Sequence, residues 1–168
     1  MKDLKKCNII RRIFFFATLL LSLAALARGR DDGICSNAVV AGTWGYTETG
    51  TLILSTGAVP FAAVGRYTLD GAGNFSATQT SSLGGSVGEN TLKGTATVNS
   101  QCTGTLTVDV FDQSGNLLRT AVLALVYVDN AREVRAIVTS LVLANDTALP
   151  PVITFNAKKL FPYRGNDQ

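Results

Sequence analysis

The 168-residue sequence contains no histidine. Its absence excludes Ser-His-Asp and Cys-His activation of a nucleophile, and with them most catalytic zinc sites. Cysteine is scarce: Cys7, Cys35 and Cys102 form no Cys-x-x-Cys redox pair and no four-ligand zinc spacing. Charged residues make up 16% of the chain and are scattered, so no basic patch of the kind that binds nucleic acid is expected. No glycine-rich phosphate loop stands between a strand and a helix. "DGAGN" at 70–74 lacks the alternating acidic ligands of a calcium loop. Neither a cofactor nor a metal is expected from this inventory.

The first 27 residues have the form of a secretory signal peptide. Lys2, Lys5, Lys6, Arg11 and Arg12 make a positive start, Ile13 to Ala27 is uncharged and apolar, and Ala25-Leu26-Ala27 offers the small residues a signal peptidase requires. At 15 residues the apolar run is short for a spanning helix, so no transmembrane segment is expected after cleavage. The leader also carries the basic excess. The whole chain is +3, but residues 28–168 hold 10 basic and 11 acidic side chains. Cys7 would leave with the leader. The remaining pair, Cys35 and Cys102, reads as one disulfide in a secreted or periplasmic protein. Closing so long a loop is worth about 4 kcal/mol in the chain-entropy model.

Residues 28–168 are rich in Thr, Val, Gly, Ser and Asn, with turn signals every 8 to 15 residues. That pattern predicts an all-β fold. Eight strands are expected near 43–54, 61–69, 75–82, 91–98, 103–111, 117–128, 133–143 and 152–159. "DGAGN" and "DQSGN" (112–116) share an Asp-x-x-Gly-Asn spacing suited to a type I turn with a glycine bulge. "DNARE" (129–133) and "QCTG" (101–104) are further turns. Leu92, Ala96 and Val98, and Leu106, Val108 and Val110, alternate with polar neighbours. "AVLALVYV" (121–128) is apolar on both faces, which predicts a strand buried on both sides or packed under a loop. Pro60, Pro150 and Pro151 are placed between strands. Eight strands in series suggest a closed up-and-down antiparallel barrel, with a two-sheet sandwich as the alternative. The expected layout is a leader (1–27), an N-terminal segment tied by the disulfide (28–42), the barrel (43–160) and a C-terminal tail (161–168).

The stretches "CSN…AGTWGYTETGTL", "PFAAVGRYTLDGAGNFSATQT", "GTATVNSQCTGTL" and "ITFNAKKL" together resemble a family of small exported bacterial proteins of unassigned function, over about residues 35–160. The resemblance implies export and a single β domain, and no activity. Gly42-Thr43-Trp44 is similar to the Gly-x-Trp start of lipocalins, avidins and related calycin barrels. In those barrels the Trp plugs one end and a basic residue of the last strand lies across it, a cation–π contact. The likeness implies Trp44 as a plug with Lys158 or Lys159 over it and Arg164 in reserve. The second lipocalin motif, Thr-Asp-Tyr, is missing, and no biotin-site pattern maps. The eight-stranded barrels of the allene-oxide-cyclase and dirigent type are an equally open comparison.

Candidate ligand contacts are Tyr46, Arg66, Tyr67 and Tyr127, with Trp44 and Phe75 as further aromatics. An aromatic body with a polar tip suits a pocket mouth, and Arg66 would need an acidic or anionic partner if it faced inward. The carboxylate pairs Asp109/Asp112 and Asp129/Glu133 lie at predicted turns, where Asp is the expected residue, and no catalytic residue is assigned. The sequence therefore predicts an exported, non-enzymatic barrel that binds a small apolar ligand or a surface partner. A His-independent barrel enzyme of the cyclase or isomerase type and a structural envelope or matrix protein are the alternatives.

Overall fold

Period-two alternation of apolar and polar residues gives each strand one dry face, and closing the sheet turns all the dry faces into one lumen. The computed structural model describes residues 35–160. The expected leader and C-terminal tail lie outside the described residues. The strands are β1 (Gly42–Leu54), β2 (Gly57–Leu69), β3 (Asn74–Leu83), β4 (Ser86–Val98), β5 (Thr103–Phe111), β6 (Leu117–Val128), β7 (Glu133–Leu143) and β8 (Pro151–Lys159). Each pairs antiparallel with the next, and β8 returns to β1 from Trp44↔Lys159 to Leu52↔Pro151. The result is a closed eight-stranded up-and-down barrel, not a two-sheet sandwich.

One parity of each strand fills the interior. Trp44, Tyr46 and Leu52 point inward from β1, Leu106, Val108 and Val110 from β5, and Ile153, Phe155 and Ala157 from β8. The outer positions are rich in Thr, including Thr95 opposite Thr107 and Thr97 opposite Thr105. Two bulges re-phase the ladder. One lies opposite Val110/Phe111, where Leu118 is the extra residue, and one opposite Val122/Leu123, where Thr139 is. The second shifts the inward parity of β7 from Val134, Ala136 and Val138 to Leu141.

The two Asp-x-x-Gly-Asn stretches form the same turn, bond for bond. Asp70 Oδ1 accepts from the Ala72 and Asn74 backbone N–H groups at 2.9 and 2.8 Å, and Asp70 Oδ2 from the Asn74 side chain at 2.7 Å. Asp112 does the same with Ser114 and Asn116 at 2.9, 2.8 and 2.9 Å. Gly73 and Gly115 take the left-handed position, at φ 94° and 83°. The turn at 99–103 repeats the design with Asn99 in place of Asp, and Cys102 occupies the glycine position at φ 61°. Cys102 is disulfide-bonded to Cys35, 67 residues away. The bond ties a one-turn helix, α1 (Asn37–Val40), to that end of the barrel.

Several expectations change. β4 begins at Ser86 rather than 91, because Gly84 and Gly85, at φ 58° and 91°, make a two-residue turn that extends the β3–β4 hairpin, and β2 begins at Gly57 rather than 61, because the β1–β2 pairing runs on to Leu54↔Gly57 around Ser55 and Thr56. Pro60 lies within β2, opposite Thr51, and not between strands; the pairing of β2 with β3 starts one residue later at Phe61, so Pro60 breaks no ladder on that side. Pro151 opens β8. The 121–128 strand is not covered on both sides. Ala121, Leu123, Leu125 and Tyr127 fill the lumen, while Ala124 and Val126 face outward and Val126 is 41% exposed.

Three stability measurements test these features. Gly115→Ala should cost about 1 kcal/mol, since the left-handed backbone is strained for any Cβ but nothing lies within 4 Å of it. Gly73→Ala should cost clearly more when measured by urea titration, because its Cβ would collide with the Ala96 carbonyl oxygen. Reducing the Cys35–Cys102 bond should lower the unfolding free energy by about 4 kcal/mol.

Candidate functional site

The two ends of the lumen differ in chemistry. At the α1 end the interior is filled with rings. Trp44 is fully buried, stacks on Tyr67 with centroids 5.7 Å apart and meets Tyr127 edge-on at 5.9 Å. Tyr67 continues to Phe75 at 5.0 Å, and Tyr46 stacks on Phe155 at 5.0 Å. The Trp44 indole N–H donates to the Val40 carbonyl at 3.1 Å. Lys159 closes the same end, with its Nζ 5.7 Å from the Trp44 ring centroid and donating to the Val39 carbonyl. The expected plug cation Lys158 is corrected here: alternation along β8 turns it outward, 80% exposed and 3.9 Å from Glu133.

Above the rings the lumen becomes polar. Gly65 makes room for this change, because a Cβ there would lie 2.7 Å from the Tyr46 ring. The Tyr46 hydroxyl donates to Gln79 Oε1 at 2.8 Å, and Asn90 Oδ1 accepts from Ser81 at 2.8 Å and from Gln79 at 3.4 Å. Gln79 and Asn90 are the buried polar side chains of the described barrel. Glu48 and Arg119 complete the upper lumen. Both are half-buried, and the Arg119 guanidinium lies 5.6 Å over the Phe61 ring. With Gln79, Leu92 and Leu123 they line a void of about 30 Å³, room for a water molecule. Among the described residues neither Glu48 nor Arg119 has a side-chain hydrogen bond or an ion-pair partner within 4 Å.

Burial pushes the Glu48 carboxyl up to about 7, against the pull of the Arg119 guanidinium. Burial also lowers Arg119, with Glu48 and Tyr46 opposing. Tyr46 is raised far above the usual phenol range by burial and by the nearby Glu48 charge. A carboxyl that titrates near neutrality beside a guanidinium can accept or donate a hydrogen bond to whatever enters the void.

The sequence candidates separate accordingly. Tyr46 reaches the polar zone. Tyr67 and Tyr127 point inward but sit among the rings of the plugged end, and burial raises the Tyr127 hydroxyl to about 12. Arg66 faces outward and is exposed, since its neighbours Gly65 and Tyr67 hold the inward parity; the inward cation is Arg119. Asp109 accepts from Thr120, Asp112 is spent in its turn, and Glu133 pairs with Arg135 at 3.0 Å. Glu48 and Arg119 escaped the sequence reading. The available signal was parity: Glu48 shares that of Trp44 and Tyr46, and Arg119 that of Ala121 and Leu123.

No protein-family model and no curated protein matches the sequence. Among solved structures, EF1p2_mFAP2b bound to DFHBI is similar in fold, with a TM-score of 0.51 at 13% identity over 73% of this chain and 94% of that one. A Vibrio parahaemolyticus domain named for outer membrane lipoprotein sorting aligns over 88% of this chain and 93% of its own, at 8% identity and a TM-score of 0.25, too low to bear on the fold. The first neighbour agrees with a closed β-barrel.

The raised Glu48 carboxyl has a measurable consequence. Between about pH 4.5 and 7 the unfolded chain has lost this proton and the folded chain keeps it, so stability falls as pH rises through the window and levels off above it. The loss is on the order of 3 kcal/mol. Urea unfolding across pH 4 to 8 should show a downward slope that Glu48→Gln removes; equal slopes in the two proteins would refute the assignment.

Proposed function

We propose that the protein is an exported, non-enzymatic binding barrel whose site is the open, polar half of its lumen. The observation that carries this reading is that Glu48 and Arg119 line one small void in this half of the lumen, with no ion-pair partner within 4 Å among the described residues. Both charges are half-buried, and a ligand that brings both a donor and an acceptor could pair with them. The void holds a water or a small polar head group, so the rest of the ligand sits at the mouth. There the β7–β8 pairing stops at Ile137↔Thr154, and the connection across 144–150 covers the gap through Leu149 N–H to Leu141 O at 2.9 Å. This revises the expected ligand: an apolar body still suits the aliphatic walls, but its head is polar. A barrel neighbour solved with DFHBI bound is in keeping with the reading.

Export rests on the form of residues 1–27 and is supported by the Cys35–Cys102 bond, which persists in oxidising compartments. We place the leader at 1–27, the tied segment at 28–42, the barrel domain at 43–160 and the tail at 161–168. The resemblance to small exported bacterial proteins belongs to the same proposal. One observation favours a second reading. A carboxyl poised near pH 7 in a lumen suits proton transfer, which would make Glu48 the acid–base group of an isomerase-type enzyme with Arg119 stabilising negative charge.

Native mass spectrometry of the protein purified from its own host tests the binding role. A reproducible small-molecule adduct is expected, lost in folded Glu48→Gln and Arg119→Met variants. A bare mass in the parent protein, or an adduct indifferent to both substitutions, refutes the site. An adduct that the parent protein converts and Glu48→Gln does not would favour the enzyme.

A further inference from the structure

The plugged end carries a second pocket, on its outside and apart from the lumen. It encloses about 540 Å³ between the end of β8, the start of β1 and the β6–β7 turn. Arg66, Arg132 and Lys159 line it together with Thr43 and Asn130, and Val39 and Leu160 form an apolar wall. Among the described residues no Asp or Glu lines it. Glu133 is the acid in both ion pairs of the described chain, and it is engaged with Arg135 and Lys158. Arg66, Arg132 and Lys159 have no acidic partner there. Among the described residues these are three cations without an ion-pair partner in one concavity, in a chain whose residues 28–168 are nearly balanced in charge. Their mutual repulsion is a cost that a bound anion would relieve.

The turn that forms one side of the pocket is strained. Asp129, Asn130 and Ala131 are successive non-glycine residues at φ 52°, 54° and 59°. Left-handed backbone costs roughly 1–2 kcal/mol per residue and is normally met one residue at a time. The conformation is held by Arg132 N–H to Asp129 O at 3.1 Å, by Lys159 N–H to Arg132 O at 2.9 Å, and by burial of the Ala131 methyl. Asn130 and Arg132 are thereby kept at the pocket, a use of strain found at ligand sites. Lys159 is anchored independently by Val39 O and the Trp44 ring.

From these features we infer that the protein has a second binding site, at the plugged end, for a small organic anion: an oxyanion head held by Arg66, Arg132 and Lys159, on a short apolar stem against Val39 and Leu160. Two guanidinium forks match a planar or tetrahedral oxyanion. The volume exceeds what an inorganic ion needs.

Amide NMR titrations of the protein at fixed chloride concentration test this, with hexanoate, inorganic phosphate and hexanol as probes. Hexanoate should give saturable shifts at Gly42, Thr43, Asn130, Arg132 and Leu160; phosphate should compete, and hexanol should do nothing. Arg66→Gln and Arg132→Gln alter exposed side chains, so the barrel spectrum should persist while affinity falls by about tenfold each. Arg135→Gln should leave binding unchanged. Shifts from phosphate without hexanoate would keep the anion head and overturn the apolar stem. No saturable shift with either anion, or equal weakening by Arg135→Gln, overturns the site.

Discussion

The indole N–H of Trp44 donates to the carbonyl of Val40, and the architecture of the plugged end depends on that contact. A buried indole needs an acceptor, and the barrel wall has none to spare because its carbonyls are committed to the ladder. The helix α1 supplies one. The Cys35–Cys102 bond holds α1 in place, and Lys159 binds it again through Val39 while lying over the same ring. Three independent restraints thus converge on one side chain. With that end closed and the lower lumen filled by Tyr67, Phe75, Tyr127 and Phe155, any internal site is confined to the other half.

That confinement gives Glu48 and Arg119 their meaning. On a wet strand face either would be an ordinary surface charge. Here alternation turns both toward the lumen, half-buried, and among the described residues no partner stands within ion-pair distance. The Tyr46–Gln79–Asn90–Ser81 chain beneath them satisfies its own polar atoms, so it acts as a floor. The two charges above it are the groups of this half without an ion-pair partner among the described residues.

Much of the fold was legible because it rests on local chemistry. The Asp-x-x-Gly-Asn turns declared themselves through residues that accept from their own backbone and a glycine suited to positive φ. The strand parities of 91–98 and 105–110 followed from simple alternation. The site was less legible. Attention to aromatic residues led to Tyr67 and Tyr127, which are inward but part of the plug, and to Arg66, which is outward. Glu48 and Arg119 were readable by parity alone, yet a single charge in a strand carries no local mark that its face is the dry one.

By itself the sequence determined the all-β class, the eight strands and the turn chemistry, because turns and alternation depend on neighbours a few residues apart. It also held the cysteine pair, as two thiols with no other chemistry to serve. Only the tertiary structure decided that Lys159 and not Lys158 covers Trp44, that the outer face of 121–128 is open, and that Glu48 and Arg119 line one void. Those relations join residues up to more than a hundred positions apart, and closure of the barrel sets them by fixing how eight separate alternations line up in one lumen.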